Sequence, residues 1–317
     1  MKAFLFPGQG CQKEGMGKDL YEQFPRARDL FERANEHLGR RITDVMFGGT
    51  ELELMQTVNT QPSVFVYEVV LALCQDDVRP DVVAGHSLGE FAALVVAGVL
   101  TFEDGLDLVL NRAVIGQKAC DKVATGMGAV IGLDDAYVAR RIREIWDETG
   151  EPLYMANYNG PGQVVISGSR KGVRTACKAF MREGARKAVP LPIGGSFHTP
   201  YMDEAREELG AVIRRVTFRQ ALCPVYQCVD AQPHTDPEEI RENLVQHITH
   251  SVRWTDMTRN MVRDSVTEFY EVGTDDTLEK IVRRMYPALH QQSLLDVPAY
   301  AGRVRNYKLL PENEINH

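Results

Sequence analysis

Residues Pro80–Leu100 read PDVVAGHSLGEFAALVVAGVL, and three kinds of chain follow one another within them. Asp81 to Ala84 is a short run rich in β-branched residues, Gly85 to Gly89 a turn, and Glu90 to Val99 an apolar run of helical length. Strand, tight turn and helix in this order predict one unit of an α/β layer. The turn itself, Gly85-His86-Ser87-Leu88-Gly89, fits G-x-S-x-G, the nucleophile elbow, in the strand-to-helix context that motif requires. The glycines let the backbone reverse sharply enough to expose the Ser87 hydroxyl. The following helix aims its free N–H groups and positive dipole end at the same point. A Gly-rich turn can also be only a turn, so the motif needs a partner: a serine hydroxyl is a poor nucleophile until a base takes its proton.

Eight histidines are available as that base. His37 stands near a helix end, His234 follows Pro233 in a loop, and His290 and His317 lie in or near the C-terminal tail. His198, in GGSFHTP, occupies a Gly-flanked loop between a strand and a helix, where residues on a rigid scaffold tend to act. The spacing alone makes it the best of several.

Outward from the elbow, residues 2–6 form a short apolar strand, and Lys18 to Leu38 carries apolar side chains at helical spacing up to Gly39. A second helix is predicted over Ser63 to Cys74, opened by Thr60-Gln61-Pro62, and a third from Phe102 to about Lys122 behind a Thr101 cap. At GMGAVIGLD the pattern changes to β-α-β-β-α-β, ending near Leu191, which is the ferredoxin-like order. The expected fold is therefore α/β: a large α/β-hydrolase-like subdomain with a mostly parallel sheet (residues 1–123 and 193–300), interrupted by a small ferredoxin-like subdomain (124–192). An irregular tail (301–317) follows.

Composition narrows the functional classes. The 317 residues suit one large unit with an insert, and 44% hydrophobic with 25% charged content is ordinary for a soluble globular protein. The longest apolar run, Phe91 to Leu100, is ten residues, far short of the ~20 that a membrane span needs. With no secretory segment, a cytoplasmic enzyme is expected. Six scattered cysteines without a CxxC pair suggest neither a zinc site nor a disulfide framework. A net charge of −8 argues against nucleic-acid binding. Residues 124–190 nevertheless carry ten Lys and Arg against seven Asp and Glu, a local excess that either marks a docking face for anions or is ordinary surface decoration.

The opening loop FPGQGCQKEGMGKD, Phe6 to Asp19, has the glycine density of a phosphate cradle, but both nucleotide templates fail. A dinucleotide fingerprint from Gly8 and Gly10 meets Lys13 where it needs glycine, and a Walker A motif ending in Gly17-Lys18 meets Asp19 where it needs Ser or Thr.

Taken together, FPGQGCQ, NTQPSVF, AGHSLGEF, NRA (Asn111 to Ala113), GMGAVIGL, ANYNGPGQVVISG, LPIGGSFHTPYM, SVRW and EVG occur in an order that resembles malonyl-CoA:acyl-carrier-protein transacylases. These are acyltransferases of fatty-acid synthesis related to polyketide-synthase acyltransferase domains. The resemblance implies transfer of malonyl from malonyl-CoA to the phosphopantetheine thiol of acyl carrier protein through a malonyl-serine at Ser87, with His198 as base. It implies Gln9 and Leu88 amides as the oxyanion hole, Arg112 as clamp for the malonyl carboxylate, and His86, Gln61, Asn159 and Phe197 around the substrate. A guanidinium grips a carboxylate with two parallel hydrogen bonds, which suits the clamp role; without the resemblance Arg112 reads as a helix-surface residue, and Gln61 and Asn159 as capping and turn residues. Phe197 before His198 implies exclusion of a methyl branch. No cofactor or metal is implied, malonyl-CoA being a substrate, and a monomer is expected. The alternatives left open are a trans-acting polyketide acyltransferase, and a serine esterase or thioesterase using the same elbow.

Two departures stand out. The family orients its catalytic His through the backbone carbonyl of a Gln; alignment from Trp254 puts His247 there, with Ser251 replacing a Pro. A backbone carbonyl survives a side-chain change, but a histidine brings a titratable ring and an expected extra pH dependence. EVGTDDTL carries Thr274, Asp275 and Asp276 where Pro-Gly is usual.

Overall fold

The structure, a computed structural model, describes residues 1–192 and 195–297; the expected irregular tail lies outside the described residues. Among the described residues ten strands form two sheets. In the larger, β1 (Lys2–Phe6) and β2 (Val82–Gly85) pair in parallel at the centre, flanked by β9 (Glu268–Glu271) and β10 (His290–Ser293) on one side and β7 (Val225–Tyr226) and β8 (Pro233–His234) on the other. The order is β10-β9-β1-β2-β7-β8, and only the β7–β8 pair is antiparallel. Alternation along β1 divides the core: Phe4 and Phe6 join the larger apolar cluster, while Ala3 and Leu5 join that around Trp254 on the opposite face. With both faces covered by helices the central strands β1 and β2 read as near-continuous apolar runs.

The smaller sheet is wholly antiparallel. Its strands β3 (Thr125–Ile131), β4 (Leu153–Gly160), β5 (Gln163–Ser169) and β6 (Lys187–Pro190) lie in the order β4-β5-β3-β6. The helices Asp135–Thr149 and Arg170–Arg182 share its own apolar cluster, with Ile142, Ile145, Val173 and Phe180 buried in it. Both crossings follow the ferredoxin-like pattern, so the chain has the expected mixed α/β fold in two parts.

Two helix boundaries differ from the sequence reading. The single helix expected over Lys18 to Leu38 is two, Lys18–Gln23 and Pro25–Leu38, because Phe24 is extended (φ −120°, ψ 111°) ahead of proline. The helix expected from Ser63 begins at Thr57 and carries Pro62 inside it. Proline removes the N–H that would reach the Val58 carbonyl, and Arg40 Nη2 fills the vacancy at 2.8 Å.

Candidate active site

The elbow is forced into shape by contacts that tolerate no side chain at its glycines. A Cβ on Gly85 would lie 2.1 Å from the Glu90 nitrogen, and one on Gly89 2.1 Å from the Phe6 carbonyl oxygen. Ser87 between them sits at φ 53°, a strained conformation for a residue with a side chain. β2 delivers the serine to the C-terminal edge of the parallel sheet, and the helix Gly89–Val96 runs away from it. β1 ends beside it, so the loop after Phe6 passes over the elbow; a Cβ on Gly8 would meet the His86 carbonyl at 2.7 Å.

His198, also left-handed at φ 62°, places Nε2 2.8 Å from Ser87 Oγ. Its Nδ1 faces two carbonyls, of His247 at 3.1 Å and of His250 at 3.0 Å. Carbonyls only accept, so Nδ1 carries the proton and Nε2 presents its lone pair to the serine hydroxyl. The carbonyl of His247 is thus where the sequence put it, and that of His250 is an addition. Burial first, then the Arg112 charge and His86, push the His198 pKa down to about 3, which keeps the ring uncharged at neutral pH.

Arg112, 3% exposed, projects from the helix Phe102–Lys122 rather than lying on its surface. Its Nη2 donates to Ser87 Oγ at 3.1 Å and its Nη1 to Gln61 Oε1 at 2.8 Å, and Nε has no partner among the described residues. Burial lowers its pKa to about 10, so it stays charged at neutral pH. Its guanidinium stands 5.4 Å from the Phe197 ring. That ring rests on Gly116, where a Cβ would come within 3.0 Å of it.

Together Gln9, His86, Ser87, Arg112, Met127, Asn157, Phe197 and His198 line a cleft of about 80 Å³. Gln61 and Asn159 are not among them. Gln61 is fully buried behind Arg112, and Asn159 Oδ1 bonds His86 Nε2 at 2.8 Å, so each holds a residue that lines the cleft. Leu88 follows the serine, and its amide and that of Gln9 meet no acceptor among the described residues. Met127 and Asn157 were missed as lining residues. GMGAVIGL and ANYNGPG carried them in the sequence, but nothing there said which side of each strand would face the cleft.

The two departures become physical. Ser251 Oγ donates to the Met155 carbonyl at 2.6 Å, tying the turn that carries His247 to β4. His247 is 1% exposed, and burial holds its pKa well below 6.5. The extra pH dependence expected from that ring near neutrality therefore does not follow. In EVGTDDTL, Thr274 Oγ1 bonds the Cys11 carbonyl, and Lys13 Nζ bonds the Thr274 carbonyl at 2.7 Å, which clamps the opening loop.

A second cleft of about 250 Å³ shares Met127 with the first and is lined by Arg170, Arg174 and the segment Pro190 to Pro192. Among the described residues no helix is long and apolar enough to cross a membrane.

The acyl transferase domain family matches residues 3–308. The malonyl CoA-acyl carrier protein transacylase of Bacillus subtilis (strain 168) is 36% identical over 285 residues, which cover 89% of this chain and 90% of that protein. Among solved structures, the malonyl CoA-acyl carrier protein transacylase of Coxiella burnetii superposes with a TM-score of 0.90 at 32% identity, over 94% of this chain and 95% of that one. A malonyl-transacylase solved in complex with its type II polyketide-synthase acyl-carrier protein has a TM-score of 0.89 at 32% identity, over 94% of this chain and 97% of its own.

Proposed function

The chain belongs to the acyl transferase family, and from that membership we infer that Ser87 is the nucleophile of a malonyl CoA-acyl carrier protein transacylase. The enzyme is an acyltransferase: it moves malonyl from coenzyme A to the carrier-protein thiol, in fatty-acid biosynthesis. His198 takes the proton of Ser87 as the hydroxyl attacks the thioester carbonyl, then returns it to the departing coenzyme A sulfur. In the second half-reaction it deprotonates the carrier thiol and reprotonates Ser87. Each tetrahedral intermediate puts its oxyanion at the Leu88 and Gln9 amides, where a donor is worth about 3–4 kcal/mol. No resident cofactor is called on.

The observation that carries this reading is Arg112. A buried guanidinium 3.1 Å from the nucleophile, braced by Gln61, is a site for a carboxylate two bonds from the reacting carbonyl. A hydrolase of simple acyl esters has no use for it, and the polyketide and esterase alternatives are not favoured. The basic cleft beside Met127, with Arg170 and Arg174, is where we place the approach of the phosphopantetheine arm and the acidic carrier protein. We place the enzyme in the cytoplasm and treat it as a monomer. Intact-mass measurement after incubation with malonyl-CoA and with acetyl-CoA tests the reading. A malonyl adduct is expected on the wild-type protein and none on Ser87→Ala; equal labelling by acetyl, or release to water without a thiol acceptor, would overturn it.

A further inference from the structure

Behind Ser87, three buried residues converge: Glu90 from the helix after the elbow, Cys228 beyond β7, and His247 at the end of the helix Pro237–Gln246. One polar atom of each lies within 4.8 Å of the others. The His247 ring stands edge-on to the His198 ring, with centroids 5.4 Å apart, and to Phe91 at 6.0 Å. Its Nε2 has no hydrogen-bond partner among the described residues and faces Glu90 Oε2 across 3.9 Å. The Ser87 backbone acts on the same ring by favouring its charged form, against the larger effect of burial. A buried ring nitrogen left unpaired costs free energy, so this arrangement calls for an account.

We propose that His247 is a positioning residue for the elbow, its ring neutral with the proton on Nδ1 donated to the Ser87 carbonyl and Nε2 accepting from the Glu90 carboxylic acid. The Ser87 carbonyl already accepts from the Glu90 nitrogen at 3.1 Å and keeps a second lone pair. The two oxygens of Glu90 accept from Gln227 Nε2 at 3.0 Å and the Cys228 nitrogen at 2.8 Å, which leaves a carboxylic O–H free to turn toward His247. Closing 3.9 Å to hydrogen-bond length takes a shift of about 1 Å. The groups facing the ring favour this neutral arrangement. Burial raises Glu90, while burial with His198, Arg112 and His86 nearby lowers His247. Cys228 Sγ lies 3.1 Å from the Gly85 carbonyl as donor, and so is a thiol. One residue then sets both halves of the dyad: its carbonyl orients His198, and its side chain holds Ser87 in the strained left-handed conformation.

The rival occupant is zinc, for which Glu, Cys and His are all ligand types. The inference rests on Ser87 being the acylated residue; the malonyl adduct on the wild-type protein is the control for that reading. ¹⁵N NMR of the histidine-labelled full chain, assigned by loss of the signal in His247→Gln, is expected to give a neutral Nδ1–H ring between about pH 5.5 and 8. An imidazolium or an Nε2–H tautomer in that range overturns the proposal. In turnover, His247→Leu is expected to lose about 10- to 100-fold in kcat with KM for malonyl-CoA unchanged, and His247→Gln, whose amide can still donate to the carbonyl, to recover most of it. Wild-type kcat in the Leu variant, equal damage in both variants, or stoichiometric zinc in the purified enzyme would each overturn it. If the Leu variant does not fold, the tautomer in the wild-type protein decides.

Discussion

The loop from Phe6 to Asp19 separates two groups of buried titratable side chains that the fold treats in opposite ways. On the elbow side, His86, His198 and Arg112 each meet an aimed partner: Asn159 for His86, Ser87 and two carbonyls for His198, Ser87 and Gln61 for Arg112. On the other side, around Cys11, stand Glu68 and Glu271. Glu68 is fully buried and neither of its oxygens finds a partner among the described residues; Glu271 has one, the Glu279 nitrogen on Oε2 at 2.7 Å. Burial drives the histidines below and the carboxyls above their ordinary values, Glu271 up to about 9. The histidines and the carboxyls are thereby kept neutral, while Arg112 stays charged. Only the first group has geometry that can steer a proton or a charge, and aimed geometry, more than a displaced pKa, marks the machinery.

The largest effect that could break this contrast is on acylation. His198→Ala is expected to slow malonyl transfer to Ser87 by roughly 10⁴-fold or more, since the serine loses its base. Glu68→Gln should leave the rate within a few-fold, and stopped-flow acylation measures both. A comparable loss in the Glu68 variant would make the second cluster part of the machine.

Next in size is selectivity. Arg112→Ala should erase most of the preference for malonyl over acetyl, about a hundredfold or more in kcat/KM, because a site built around a charge-assisted pair discriminates by leaving that pair unmade. Competition between the two thioesters reads this directly. An unchanged ratio would move the clamp elsewhere.

What the sequence allowed to be read follows the same division. The elbow and the order of the ferredoxin-like insert were legible because each depends on local chemistry: Gly at Gly85 and Gly89 where backbone crosses backbone, and short strand and helix runs set off by turns; His198 stood out from local sequence only as the best of several, and the family resemblance singled it out. β10, with His290, Gln291 and Gln292, was not, since an edge strand of polar residues has no apolar period. Nor were the functions of Gln61 and Asn159 as braces, or the pairing of Arg40 with the carbonyl freed by Pro62, because these join segments far apart in the chain. The crowding of Glu68, from the helix Thr57–Leu73, against Glu271 and Asp275, near the end of the chain, is likewise tertiary.

A smaller effect separates the clusters by stability. Glu68→Met replaces an unpartnered buried carboxyl by an apolar side chain of similar size and is expected to stabilise by about 1–3 kcal/mol, a rise of several degrees in Tm. A lower Tm would mean that the carboxyl has a partner, such as a bound water or ion, whose hydrogen bonds outweigh its burial.

The last contrast is the shape of stability against pH, and it carries the signs of both clusters. For Glu271, raised to about 9, folded and unfolded chains are both protonated below about pH 4.5. As pH rises toward 9 the unfolded chain ionises first, so stability is lost over that window. The lowered histidines act the other way. Above about pH 6.5 they are neutral in both states, and as pH falls the unfolded chain takes up protons that the folded chain refuses, so stability is lost on the acid side. Between about pH 4.5 and 6.5 the two slopes oppose each other, and thermal melts should show a shallow maximum there, with a decline toward pH 9 owed to the carboxyls. Glu271→Gln keeps an acceptor for the Glu279 nitrogen and removes the titration. It should therefore match the wild type at about pH 4.5 and below and flatten the decline above it, whereas His247→Gln should soften only the acid side. Parallel alkaline limbs in wild type and Glu271→Gln would show that Glu271 ionises near its ordinary value in the folded protein, and the second cluster would then be charged rather than neutral.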